Sequence, residues 1–460
     1  MLLSERDPKD ACAPISTGMM GRGWRGLLAA AVSVAALSWS GEARASQEVR
    51  DWNTVMAQME PLTGFFMASR LAALLHVSIH DALNAIPETA RYHTYLPPVA
   101  TQGPASPEAA LAAAGRTMLA TYINFYSNQS LPPEFSNPLL QDMLPMVETT
   151  YDMQLAAIAD GPAKTEGIRI GEAAAINLWN ERLGDGWNNP DDLEFEFLDN
   201  DGDDDPMTGL PGEYVMLDPA DTFPGSSQPF FFWWGYMTPW TMTSNDQFRC
   251  APPPSHRNGA FRRDLEETRV YGAVDSAVRT PQQAFEALWW EACDGFVFGG
   301  TYSFTRQLVT DFGLDNHDAA RVFALAMLTQ ADAMISNVNS KNFYHFWRPI
   351  TAIDHYYPGS DWKPLMLTSP NQEYPAGHPM VSGATLYALM EFFGGGRLDA
   401  PLVGTNTCGD IVFSSLKDAV EGVINARVWG GIHYRSSGEV GARTGKKIAK
   451  YVHRRFLKPL

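Results

Sequence analysis

Cysteine and positive charge are both scarce in this sequence, and each scarcity removes a class of function. The four cysteines, Cys12, Cys250, Cys293 and Cys408, form no CxxC pair and no Cys/His spacing of a structural zinc site. That argues against thiolate-held metal and leaves room for one disulfide at most. Lysine and arginine number 34 against 52 aspartates and glutamates, a net charge of -18. This is the wrong sign for binding nucleic acid or an anionic membrane, so any anion site must be locally basic. No nucleotide-binding glycine loop, HExxH zinc motif or repeat at solenoid spacing is present. What is plentiful is apolar and aromatic content, 45% and 12% of 460 residues, enough to bury one large core or two moderate ones.

A long hydrophobic run is also missing. The N-terminal run Leu27 to Trp39 is too short to span a bilayer comfortably, but it follows Arg22 and Arg25 and precedes Ala43-Arg44-Ala45. That is the pattern of a signal peptide cut before Ser46, and a retained membrane anchor is the rival reading. Residues 1–45 are therefore expected to be removed, with translation starting at Met19 or Met20, because the first 18 residues fit poorly ahead of a signal. The mature protein is expected to be exported, periplasmic or secreted, with no stable membrane insertion after cleavage. The sequence leaves the oligomeric state open, a homodimer included.

From Asp51 onward apolar residues recur at three and four, as in Arg70 to Ile86, and none of these segments alternates like a strand. The texture changes between Gly184 and Pro254, where proline, glycine, aspartate and aromatics crowd together; a stretch so aromatic packs onto something. The expected organisation is all-α: an N-terminal helical half over 46–183, an irregular connection over 184–260 and a C-terminal helical half over 261–460. Two features inside it have plain structural readings. His76 and His80, at i and i+4 with no glutamate of a zinc motif between them, read as packed core histidines. The acidic run 199–205 lacks the glycine and distal glutamate of a calcium loop and reads as solvated.

Three segments of the C-terminal half carry chemistry. KNFYHFWRP places Lys341 and Arg348 seven residues apart, about two helical turns, which would put both cations on one helix face. YPAGHP sets Gly377, His378 and Pro379 at a helix start, where free N–H groups and the positive dipole end favour an anion. ARVWGGIHYRSS ends an amphipathic stretch at Arg427, bends at Gly430 and Gly431, and opens the next at His433. Together they suit a tetrahedral oxyanion with trigonal-bipyramidal chemistry. One histidine would attack or coordinate the central atom and the other would move a proton.

These motifs, Lys-six residues-Arg-Pro, Pro-x-Gly-His and Arg-five residues-His, resemble the signature of the vanadium-dependent haloperoxidases and type 2 phosphatidic acid phosphatases. HVSIHDALNA, GPAKTEGIRIGEAAA and ARVFALAMLTQADAMISNV are similar to the bacterial haloperoxidase-like branch, and the likeness runs from about Asp51 to the C-terminal helix. The resemblance implies an all-α fold of two helical bundles joined by the aromatic- and proline-rich connection. It implies that Lys341, Arg348, Arg427 and the Gly377 N–H bind the oxyanion, that His433 is the vanadium ligand or phosphatase nucleophile, and that His378 is the acid-base residue. A haloperoxidase would use vanadate with halide, hydrogen peroxide and an organic acceptor. A soluble acid phosphatase, acting on a phosphate ester through a phosphohistidine, would require no cofactor.

The sequence departs from that pattern twice. Ala376 stands where the family usually has serine, removing one hydroxyl from the oxyanion. Ser437 stands where the family often has aspartate to orient the histidine, so another carboxylate or a carbonyl must take over or His433 is a weaker ligand and nucleophile. A non-catalytic oxyanion-binding protein is the third reading these changes admit.

Overall fold

In this computed structural model the described residues are 46–460, apart from 132–134, 190–192, 199, 203–204, 223–227, 293–297, 396–397, 399 and 407. The signal region and parts of the acidic run thus lie outside them. The described helices, in chain order, are α1 Gln47–Gln58, α2 Glu60–Thr63, α3 Phe65–Asn84, α4 Pro107–Tyr126, α5 Leu144–Ala156, α6 Pro162–Arg182 and α7 Gly259–Gly272. They continue with α8 Pro281–Ala292, α9 Gly299–Asp311, α10 Asn316–Tyr344, α11 Pro349–Tyr356, α12 Gly377–Phe392, α13 Leu416–Trp429 and α14 Arg435–Arg455. The fold is helical, as its periodicity requires. One hairpin that the sequence reading lacked, β1 Leu402–Asn406 paired antiparallel with β2 Gly409–Phe413, is the sole sheet among the described residues. It folds against α8 through Trp289, whose indole N–H donates to Gly409 O at 3.0 Å.

α3 and α10 run through the centre, and both are buried nearly all round because other elements pack around them. Between α12 and α14 the spacing is set by glycine: a Cβ on Gly445 would lie 2.5 Å from Met380 O, and one on Gly441 2.9 Å from Ala376 O. That close approach fixes the helix after His433 against the helix carrying His378. Asp332, wholly buried on α10, accepts from the N–H groups of Trp240 at 2.7 Å and Thr241 at 2.8 Å. One carboxylate thereby ties the aromatic connection to the central helix, with Trp234 and Trp240 buried beside it. Helices from before residue 184 and after residue 260 share one hydrophobic core.

The two histidines of α3 are core residues. Asn53 Nδ2 donates to His76 Nε2 at 2.9 Å and the His76 ring stacks on Phe323, while His80 Nδ1 pairs with Asp81 Oδ1 at 3.1 Å. Among the described residues no helix is long and apolar enough to cross a membrane and no His/Cys/Asp/Glu group suits a metal ion. Cys250 is a buried free thiol, and Cys408 is disulfide-bonded.

Candidate functional site

Lys341 and Arg348 do not share a helix. α10 ends at Tyr344, where His345 takes a left-handed conformation (φ 46) that stops the helix, and Arg348 is the extended residue before Pro349 that opens α11. The expectation of one helix face is therefore corrected. The turn is clamped by the connection, with Tyr214 N donating to His345 O at 2.6 Å and Trp347 N to Gly212 O at 3.2 Å. The two cations meet on loop 371–373: Lys341 Nζ donates to Gln372 O and to Glu373 O (3.0 Å), and Arg348 Nε to Asn371 O (2.7 Å).

The third motif reaches the same place through a tight bend. α13 carries Arg427 in its last turn, and Gly431 (φ 81) then turns the chain so closely against α7 that a Cβ on Gly272 would lie 2.4 Å from Gly431 Cα. Thr268 of α7 holds the His433 carbonyl at 3.2 Å. Arg348 Nη1 donates both to Ile432 O (2.9 Å) and to His433 Nε2 (3.2 Å). A guanidinium has no acceptor, so the Nε2 lone pair faces Arg348 and the ring proton sits on Nδ1.

That Nδ1–H donates at 2.8 Å to Glu373 Oε1, which also accepts from Tyr434 N at 3.0 Å. Glu373 is the residue the sequence reading missed. It is fully buried, and burial pushes its carboxyl up to about 7, opposed by Lys341, Arg348, the Tyr434 N–H and Ser437. The only sequence signal was an acidic residue directly ahead of Tyr374, with nothing to say which way it pointed. Asn371 was also missed; its side-chain oxygen accepts from Arg348 Nη2.

Lys341, Arg348 and Arg427 are only 4%, 1% and 3% exposed, so three cations have been taken out of water together. Burial and the other cations lower the Lys341 ammonium well below its ordinary value, and burial lowers the Arg348 guanidinium to about 10. Burial first, then Arg348, Lys341, Arg427 and His378, lowers His433; for His378 the order is burial, then Arg427. Both shifts favour the neutral imidazole. Arg427 Nη1 lies 2.5 Å from Glu291 Oε2, but without hydrogen-bond geometry, and Arg427 Nε and Nη1 and His378 Nε2 are buried with no hydrogen-bond partner. α12 begins at Gly377, whose first-turn N–H groups have no intrahelical acceptor, and a Cβ there would meet nothing nearer than Asn337 Oδ1 at 3.5 Å. An unsatisfied buried donor such as Arg427 Nε costs about 1–3 kcal/mol, which an oxyanion accepting from it and from the first turn of α12 would recover.

All six residues singled out in sequence thus belong to one constellation: Lys341, Arg348, Arg427, His378 and His433 through their mutual electrostatics, and Gly377 as the first residue of the helix bearing His378. Residues 321–460, which hold the whole constellation, match the VCPO second helical-bundle domain family. The chain is 23% identical to the vanadium chloroperoxidase of Curvularia inaequalis, over 73% of this chain and 62% of that protein, so it spans under two thirds of that relative's length. Its fold is similar to the crystal structure of a bacterial vanadium-dependent iodoperoxidase (TM-score 0.72, 20% identity, covering 90% of this chain and 97% of that one). It is also similar to a holo-type bacterial vanadium-dependent chloroperoxidase (TM-score 0.65, 16% identity, 91% and 98% covered). The fold is that of the vanadium-dependent haloperoxidases, built on helical bundles. Residues 321–460 belong to that helical-bundle family, and the chain as a whole is similar to the vanadium haloperoxidases in fold.

Proposed function

We propose that this protein is an exported enzyme that oxidises halide with hydrogen peroxide, using vanadate as cofactor and an organic molecule as acceptor. The observation that carries the reading is a pair of buried polar atoms without a hydrogen bond, Arg427 Nε and His378 Nε2, beside the further buried cations Lys341 and Arg348. Such a set fits vanadate: Lys341, Arg348, Arg427 and the Gly377 N–H would hold its oxygens, and the His433 Nε2 lone pair would bind the metal. When bound, vanadate supplies a Lewis acid that polarises peroxide towards halide attack. Burial, then Arg427 and Lys341, favours the neutral form of His378, so its Nε2 would accept a proton from the incoming peroxide; a bound anion would offset those cations and let the ring keep it. The disulfide at Cys408 supports export, since disulfides persist in oxidising compartments.

A phosphatase reading is favoured by one observation: the Nε2 lone pair of a neutral His433 among cations serves a nucleophile as well as a ligand. The mature protein, Ser46 to Leu460, separates the readings. Vanadate titration by calorimetry is paired with bromination and phosphate-ester hydrolysis on the same sample. Halogenation only with vanadate supports the proposal; hydrolysis inhibited by vanadate makes the protein a phosphatase, and binding with neither activity leaves an oxyanion-binding protein.

A further inference from the structure

The imidazole expected to bind the oxyanion needs a partner on its other nitrogen, and the position four residues after it, Ser437, offers no carboxylate. In the structure a carboxylate arrives from elsewhere. Glu373 lies sixty residues before His433, in the loop leading to α12, and its Oε1 receives the His433 Nδ1–H at 2.8 Å. Its position is fixed from two sides. Lys341 Nζ holds the Glu373 backbone carbonyl at 3.0 Å, and the Tyr434 N–H donates to the same Oε1 at 3.0 Å. Ser437, in the first turn of α14, is fully buried beside this carboxylate, and its hydroxyl helps hold the carboxyl's value down.

We propose that Glu373 is the positioning residue for His433, locking the ring with its proton on Nδ1 and its lone pair at Nε2, and that it performs from the loop the task Ser437 cannot perform from α14. The inference rests on the oxyanion reading of the same site and names what orients its ligand. A carboxylate on Nδ1–H fixes tautomer and ring angle and makes Nε2 more basic, which strengthens its hold on a metal. The arrangement also couples two motifs. Lys341 grips the backbone of the residue whose side chain aims His433, so the lysine helps set the ligand as well as the charge.

The test compares wild type with Glu373→Gln, Glu373→Ala and Glu373→Ala/Ser437→Asp, using His433→Ala to assign the ring signals. Nitrogen-15 NMR reads the His433 tautomer in vanadate-free protein, and calorimetry reads vanadate affinity. Wild type should show the Nδ1–H form. Glu373→Ala should lose the carboxylate-bonded Nδ1–H signal, even with Arg348 still donating to Nε2, and bind vanadate about 10- to 100-fold more weakly. Glu373→Gln still offers an accepting oxygen, so it should keep the tautomer while losing part of the affinity. The double variant should regain the Nδ1–H form. A wild-type ring signature in Glu373→Ala, or undiminished vanadate affinity in both single variants, overturns the proposal. If Glu373→Ala does not fold, undiminished affinity in Glu373→Gln alone overturns it. Absence of vanadate binding by wild type would instead sink the oxyanion reading, and the tautomer comparison would still decide the role of Glu373.

Discussion

Lys341 and Arg348 approach loop 371–373 from different elements, the lysine from the end of α10 and the arginine from the residue that opens α11. The arginine is a structural keystone as well as a charge, donating to Asn371 O, Asn371 Oδ1, Ile432 O and His433 Nε2. Lysine cannot reproduce that planar fork. Arg348→Lys should therefore lower unfolding stability by about 2–4 kcal/mol, through buried carbonyls left without donors, and weaken vanadate binding. Urea denaturation checks the first effect; stability equal to wild type would mean the fork is dispensable.

Satisfying Arg427 Nε, which has no hydrogen-bond partner, should stabilise the protein. A ligand that binds only the folded state adds about 2.7 kcal/mol at one hundred times its dissociation constant. Vanadate, and phosphate more weakly, should raise the melting temperature of wild type, and Arg427→Ala should abolish most of the rise. A shift of equal size in the variant would remove Arg427 from the anion site.

Ala376 is the N-cap of α12, fully buried, with no side chain to accept from the helix's free N–H groups. Ala376→Ser supplies a hydroxyl that serves as a cap or reaches the oxyanion. A hydrogen bond to a charged group contributes about 1.5–3 kcal/mol, so vanadate should bind roughly tenfold tighter or better. Calorimetry giving an unchanged affinity, with the gain seen only in melting temperature, would assign the new hydroxyl to capping alone.

The two histidines should separate under mutation. His378→Ala should spare vanadate binding and cut turnover by about 100-fold or more, as loss of a general acid-base residue does. His433→Ala should weaken binding and abolish turnover together. Loss of binding in His378→Ala, measured calorimetrically, would make His378 a ligand.

Acid should expose the core histidine of α3. Burial, then Arg306, lowers His76 to about 3, so its neutral form is favoured by folding. A depressed folded value contributes stability that is fully present above the unfolded value of about 6.5 and lost as pH falls from there towards 3, at up to about 1.4 kcal/mol per pH unit. Between pH 6 and 4 wild type should therefore lose stability more steeply than His76→Gln. Parallel curves in urea titrations at several pH values would count against this origin.

The helices and the six constellation residues were legible because they depend on local pattern: spacing of three and four for helices, and glycine, proline and histidine at helix ends. The reason given for Lys341 and Arg348 was nevertheless wrong, because a helical separation in sequence carries no sign that His345 will turn left-handed and end the helix between them. The hairpin at 402–413 escaped for a related cause; short strands are held by partners such as Trp289 that sequence spacing does not reveal.

By itself, then, the sequence determined a helical protein with a basic cluster of motifs inside an acidic chain, since periodicity and charge are properties of neighbours along the chain. Only the tertiary structure decided how His433 is aimed. The deficit at Ser437 is met by Glu373 sixty residues away, and a buried carboxylate finds its imidazole through packing of a loop, a helix start and a glycine bend that no local pattern encodes.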